Sequence, residues 1–258
     1  MLIVDSHCHL DHFQGAEQAD VVARARAAGV GVMVTIGTRI GPGATTVREI
    51  ADRYDNVFAA VGIHPHNAGE GEVPSVETLL AEADHPKVVA IGESGLDYFY
   101  DKAPREAQKL GFRRHIAAAR QSGLPLVIHA READADIASI LEEEDAAGTF
   151  PFLLHCFSSG AELARTAVRL GGYISFSGML TFPKSDAIRA VAAEVPAERL
   201  LVETDSPYLA PVPLRGKRCE PAYTVHTAAR LAEVRGLGLE ALAALTTGNF
   251  RRLFSRAR

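Results

Sequence analysis

The stretch "LIVDSHCHLD", residues 2–11, decides how this chain is read. Three apolar residues, Leu2, Ile3 and Val4, lead into Asp5, and two histidines follow, His7 and His9. Successive side chains of an extended segment point to opposite faces, so His7 and His9 project together and Cys8 projects away from them. Short apolar runs of the same kind recur: "VMVTI" from 32, "VFAAVGI" from 57, "VVAIG" from 88, "LPLVI" from 124, "FPFLL" from 150, "GYISF" from 172 and "LLVE" from 200. None alternates, as expected of strands buried on both faces of a parallel sheet.

Helical stretches lie between these runs. Residues 16–29 end on a glycine stop, 104–123 begin on proline and end on glycine, and 159–172 run from serine to a glycine pair. Within the second, Phe112, Ile116 and Ala119 share one helical face. Eight strand–helix units of roughly 30 residues predict a single (β/α)8 barrel domain spanning 1–258, with an open doubly wound sheet as the alternative. The C-terminal "RRLFSRAR" (251–258) reads as a helix end with a basic tail.

Composition narrows the classes. Apolar residues make up 47% and charged residues 23%, an ordinary globular balance. No apolar stretch has the length of a membrane span, and the start lacks the basic flank of a signal peptide. Three scattered cysteines do not make a disulfide framework. A reducing, cytoplasmic setting is expected, with no obligatory protein partner and a monomer or weak oligomer. The net charge of −5 argues against coating nucleic acid with a basic face.

In a parallel barrel the chemistry gathers where strands finish. The residues that close these runs are His7 and His9, then His64 and His66, Glu93, His129, His155, and finally Glu203 and Asp205. A lone His-x-His is more often packing than chemistry. Six such groups, each ending its own apolar run, would be costly to bury uncompensated, and metal ions remove that cost. Four histidines (His7, His9, His129, His155) and two carboxylates (Glu93, Asp205) exceed the needs of one tetrahedral ion. They suit two divalent ions roughly 3.5–4 Å apart. Glu93, with two oxygens, is the expected bridge. His7, His9 and Asp205 would take one ion, His129 and His155 the other. Asp205 can also accept a proton from a bridging water, which makes Asp205 and Glu93 the expected catalytic pair.

With these residues in view, the sequence resembles the TatD-type metal-dependent hydrolases, also called TatD-family deoxyribonucleases. The matching stretches are "DSHCHLD" (5–11), "VGIHPH" (61–66), "IGESGLDY" (91–98), "PLVIHAREA" (125–133), "LHCFSSG" (154–160), "LLVETDSPYLAPVPLRGKRCEP" (200–221) and "TTGNFRRLF" (246–254). The resemblance implies a (β/α)8 barrel with a two-metal hydrolytic site, and it carries the ligand role onto His7, His9, Glu93, His129, His155 and Asp205. It further implies phosphodiester cleavage in DNA, often from the 3′ end of a single strand, with magnesium or manganese. Four imidazoles by themselves favour zinc, manganese or nickel. One departure is visible: Cys219 stands where the family commonly has asparagine, which puts the loop's geometry or its substrate contacts in doubt.

Other residues have secondary readings. His64 could meet a substrate phosphate or hold a ligand by hydrogen bonding. Arg131 could bind phosphate or pair with a local carboxylate. Arg215, Lys217 and Arg218 could guide a polyanion into the mouth. Glu203 could orient a ligand histidine. Cys8 and Cys156 are expected to face away as small core residues. Two rival functions keep the same residues: an amidohydrolase-like enzyme acting on an amide, lactone or aminoacyl ester, and a metal-binding scaffold without turnover.

Overall fold

A computed structural model describes residues 1–257. Each apolar run is a strand: β1 (Ile3–Cys8), β2 (Val30–Ile36), β3 (Val57–Val61), β4 (Val88–Asp97), β5 (Leu126–Arg131), β6 (Phe152–Leu154), β7 (Tyr173–Phe176) and β8 (Leu200–Val202). They pair in parallel and in chain order. The ends of this sheet meet. Cys8 bridges to Ser206, the His9 N–H donates to Ser206 O at 2.8 Å, and the Asp205 N–H donates to His7 O at 2.9 Å. The result is a nearly closed eight-stranded barrel, and the open-sheet alternative is set aside.

Asp5 holds this seam at depth. Its buried carboxylate accepts from the Thr204 N–H (2.9 Å) and hydroxyl (2.6 Å). Burial pushes its pKa up to about 7 in spite of those bonds.

Helices α1 (Ala16–Ala27), α2 (Pro42–Arg53), α3 (Val76–Ala83), α4 (Arg105–Ser122), α5 (Asp134–Ala146), α6 (Ala161–Arg169), α7 (Asp186–Glu194), α8 (Thr224–Arg235) and α9 (Leu239–Leu253) complete the chain. α4 shows why the sequence folds this way. Phe112, Ile116 and Ala119 are fully buried on one face, and Gly123 ends the helix at φ 68°, a left-handed cap that glycine adopts without strain. α9 closes the end of the barrel where the strands begin. Its Phe250 and Leu253, with Phe254 just past its end, pack with Val4, Phe58, Leu153 and Leu201. Thr247 and Asn249 bind the backbone at Leu2 and Leu200, where β1 and β8 start. The helix end expected at 251–258 lies here, with Arg258 outside the described residues.

One period further along each strand the same interior face turns polar. Val127 gives way to His129, Leu153 to His155 and Leu201 to Glu203. Glycine lets the backbones close up at this level: a Cβ on Gly95, at φ 143°, would sit 2.0 Å from His129 O, its register neighbour on β5. Apolar at one end and polar at the other, the barrel concentrates its titratable groups at the mouth.

Candidate metal centre

His7 Nε2 lies 3.3 Å from His9 Nε2, 3.1 Å from Glu93 Oε2 and 3.5 Å from Asp205 Oδ1. His9 Nε2 is 3.4 Å from the same Asp205 oxygen. His155 Nε2 is 3.1 Å from Glu93 Oε2 and 3.4 Å from His129 Nδ1. The rings of His7 and His155 are stacked, with centroids 3.9 Å apart. All six residues named as metal ligands from the sequence therefore meet in one place. His7, His9 and Asp205 lie together, and His155 stands between Glu93 and His7 on one side and His129 on the other, so the two expected groups adjoin.

The outer nitrogens of three of these histidines decide which way the inner ones face. His9 Nδ1 donates to Ile36 O (3.2 Å), which leaves its Nε2 lone pair toward His7 and Asp205. His155 Nδ1 is 3.3 Å from Glu203 Oε1, which also accepts from the Cys156 N–H (2.8 Å). His129 is reversed: its Nε2 donates to Asp97 Oδ2 (3.0 Å), so Nδ1 turns inward. An outer partner that fixes the tautomer is what metal-ligating imidazoles have. His64 shows the opposite pattern. Its Nδ1 accepts from the His66 N–H (3.0 Å), so the proton is on Nε2 and points at Glu93 Oε1, 3.1 Å away. Distance alone would group His64 with Glu93 and His129, but its tautomer makes it a donor to the carboxylate.

Asp97 is the residue the sequence reading missed. It is fully buried, accepts from both His66 (2.8 Å) and His129, and takes the Tyr100 N–H on its other oxygen at 2.9 Å. Burial opposes its charge, but the bonds from His129 and Tyr100 win and hold it far below the usual aspartate range. The signal was present in "ESGLD": residues 93, 95 and 97 share one strand face, with a glycine between the two carboxylates.

The electrostatics describe a site built around cationic charge. Burial disfavours a proton on His9 and on His155. The carboxylates beside them outweigh that, raising His9 to about 9 and His155 well above its ordinary value. Burial and the neighbouring His155 push His7 down, and burial pushes His64 well down. Burial would raise Asp205, yet the bond from His9 and the field of His7 and His155 keep it low.

The donor set fits metal. Glu93 Oε2 is buried and makes no hydrogen bond although two imidazole nitrogens lie 3.1 Å from it. Its approach to them is close but not aligned for a proton. Donors about 2.1 Å from a tetrahedral ion lie about 3.4 Å from one another, the spacing found here.

The secondary residues fall out unevenly. Arg131 has no carboxylate partner among the described residues; its guanidinium lies over Phe99 (4.4 Å) and Tyr100 (5.2 Å). Arg218 is tied to Glu17 at 2.6 Å and packs on Phe13, so it is engaged away from the cluster. Arg215 lies over Phe182, and Lys217 is exposed. Cys219 is buried, with its N–H donating to Pro207 O at 3.0 Å. Its side chain presents no surface at the mouth. Cys8 is buried against β2, its thiol donating to Val34 O at 3.4 Å. Cys156 corrects its expected place. It has φ 44°, is only partly buried, and lies 3.2 Å from Ser177 Oγ; burial, Asp205 and Glu203 all push its thiol up.

A nearly closed parallel barrel with converging imidazoles and carboxylates at its strand ends defines a metal-dependent hydrolase of the (β/α)8 class. Comparison with known proteins is specific: the profile described as TatD related DNase matches residues 4–255, and this chain belongs to that family. It is 40% identical over 254 residues to the uncharacterized metal-dependent hydrolase YabD of Bacillus subtilis, covering 98% of this chain and 99% of that one. It is 35% identical to the 3′-5′ ssDNA/RNA exonuclease TatD of Salmonella typhimurium, over 92% of this chain and 93% of that one. The crystal structure of YJJV, a TatD homolog from Escherichia coli, superposes with a TM-score of 0.88 at 30% identity and 98% coverage of both chains.

Proposed function

We propose that this hydrolase cleaves phosphodiester bonds in single-stranded DNA, removing nucleotides from the 3′ end with two divalent ions at the strand ends. The observation that supports the site best is a buried Glu93 oxygen that makes no hydrogen bond although His7 Nε2 and His155 Nε2 each lie 3.1 Å from it, beside His9 and His129 whose outer nitrogens are held by Ile36 and Asp97. The likeness to a named exonuclease supports the substrate.

In this reading His7, His9 and Asp205 would hold one ion, His129 and His155 would hold the other, and Glu93 would serve both. Magnesium, manganese, zinc or nickel, when bound, would neutralise the scissile phosphate and acidify a water. The rest falls to the protein. Asp205, held ionised, accepts the water's proton. His64 keeps Glu93 in place by donating to Oε1. Glu203 and Asp97 hold His155 and His129 in their inward tautomers. Arg131 and Lys217 supply positive charge to the phosphate backbone, while Arg218 is occupied by Glu17. The three unpaired thiols suit a cytoplasmic enzyme.

The test is end-labelled single-stranded DNA with metal-stripped protein and each divalent ion returned in turn. Shortening from the 3′ end on return of an ion is expected. If no ion restores cleavage of any DNA while an amide or lactone is hydrolysed, the reading fails.

A further inference from the structure

Among the described residues three aromatic side chains are conspicuously exposed: Phe99, Tyr100 and Tyr208. All three stand on loops that follow strands at the mouth, two after β4 and one after β8. Scattered exposed apolar residues need no explanation, but rings gathered at the charged end of a barrel do.

Phe99 and Tyr100 form a built feature. They are 50% and 52% exposed, and their rings meet edge to face with centroids 4.8 Å apart. The Tyr100 N–H is anchored to Asp97, the carboxylate that also holds His129. The Tyr100 ring is 5.2 Å from that of His66, so the shelf is continuous with the histidine cluster. Arg131, two residues beyond His129 on β5, lies over both rings, and Lys102 Nζ is 5.5 Å from the Tyr100 ring. Neither cation pairs with a carboxylate among the described residues. In a chain of net charge −5 whose arginines are mostly tied to acids, these two are placed for an anion.

We infer that Phe99, Tyr100 and Arg131 form a nucleobase-stacking subsite of the active site, the rings taking the base of a nucleotide next to the scissile bond and Arg131 its phosphate. The inference rests on the phosphodiesterase reading and gives the substrate its form. A ring face reads the face of any base and no base edge, so the subsite is indifferent to sequence. A base can lie on it only when it has left its own stack, so single strands and frayed ends enter and intact duplex does not.

Two measurements test it, using Phe99→Ala/Tyr100→Ala protein checked for wild-type metal content and melting temperature. The first compares kcat/KM on an ordinary single strand with that on a strand whose terminal nucleotides lack bases. Stacking is worth roughly 5- to 150-fold per base. Wild-type protein should lose a factor in that range when the base is removed, and the double variant should treat both strands alike, with Phe99→Tyr/Tyr100→Phe restoring the difference. The second is quenching of 2-aminopurine fluorescence in a single strand bound to metal-stripped protein, expected with wild type and absent with the double variant. If wild type cuts no DNA but quenches, the phosphodiesterase reading falls and the stacking site stands. Equal quenching by both proteins, or an equal penalty for the missing base in both, overturns the subsite.

Discussion

Asp97→Asn isolates the residue on which the inward face of His129 depends. The carboxylate accepts on both oxygens: Oδ2 from His66 and His129 at 2.8 and 3.0 Å, Oδ1 from the Tyr100 N–H at 2.9 Å. Asparagine keeps the shape but turns one oxygen into a donor. With the amide nitrogen at the Oδ2 position, it faces two imidazole N–H groups. Flipped, it faces the Tyr100 N–H. No orientation satisfies all three donors. A hydrogen bond to a charged group contributes about 1.5–3 kcal/mol, and losing an outer partner of a metal-ligating histidine costs about 10–100-fold in metal affinity or activity. These agree, since tenfold is about 1.4 kcal/mol.

The expected outcome is a metal affinity about 10–100-fold weaker, with turnover at trace metal falling in proportion and excess metal restoring most of it. Competition against a chelating dye measures the affinity. Proton NMR adds a direct readout, because the Nε2–H resonance of His129 should move or vanish. A folded Asp97→Asn protein that binds metal within twofold of wild type and keeps that resonance would refute the reasoning.

Two other outcomes are expected. Glu93→Ala should empty both ion sites while His129→Ala weakens mainly one, as elemental analysis after dialysis will show; two equivalents retained by Glu93→Ala, or both lost by His129→Ala, removes Glu93 from the bridging role. His115, buried away from the cluster, takes the Ile63 N–H on Nε2 and donates from Nδ1 to Gly111 O, and burial lowers its pKa to about 4. Because that is below the unfolded value near 6.5, the unfolded chain binds the proton first. This stability is therefore complete above pH 6.5 and is lost as pH falls toward 4, by about 2 kcal/mol between pH 7.5 and 5. Urea unfolding of metal-stripped wild type against His115→Leu reads it, and an identical pH dependence in the two proteins rejects the assignment.

How much of this was visible beforehand follows from what repeats along a chain and what does not. A strand buried on both faces must be apolar throughout, so each of β1 to β8 announced itself as a run, and the barrel followed from their number and spacing. The clustered histidines and carboxylates were legible for the same reason, since a polar residue directly after such a run can only stand at the mouth. Asp97 was hidden because β4 runs on past the apolar run and its first carboxylate, Glu93, to a second four residues later, beyond the two-residue spacing of the pairs at the other strand ends. His64 shows a different limit. Its place was readable but not its protonation, which is set by a backbone N–H two residues on. Loops carry no period, so nothing in "RGKRCEP" revealed that Arg218 turns to Glu17 or that Cys219 is buried. The aromatic pair is hidden on the same grounds: "DYFYD" reads as loop until the fold hangs Tyr100 from Asp97 and lays Arg131 across both rings. One buried carboxylate thus positions an inward-facing histidine on one side and the aromatic shelf on the other. This ties the chemistry of the barrel mouth to the surface on which a strand would lie.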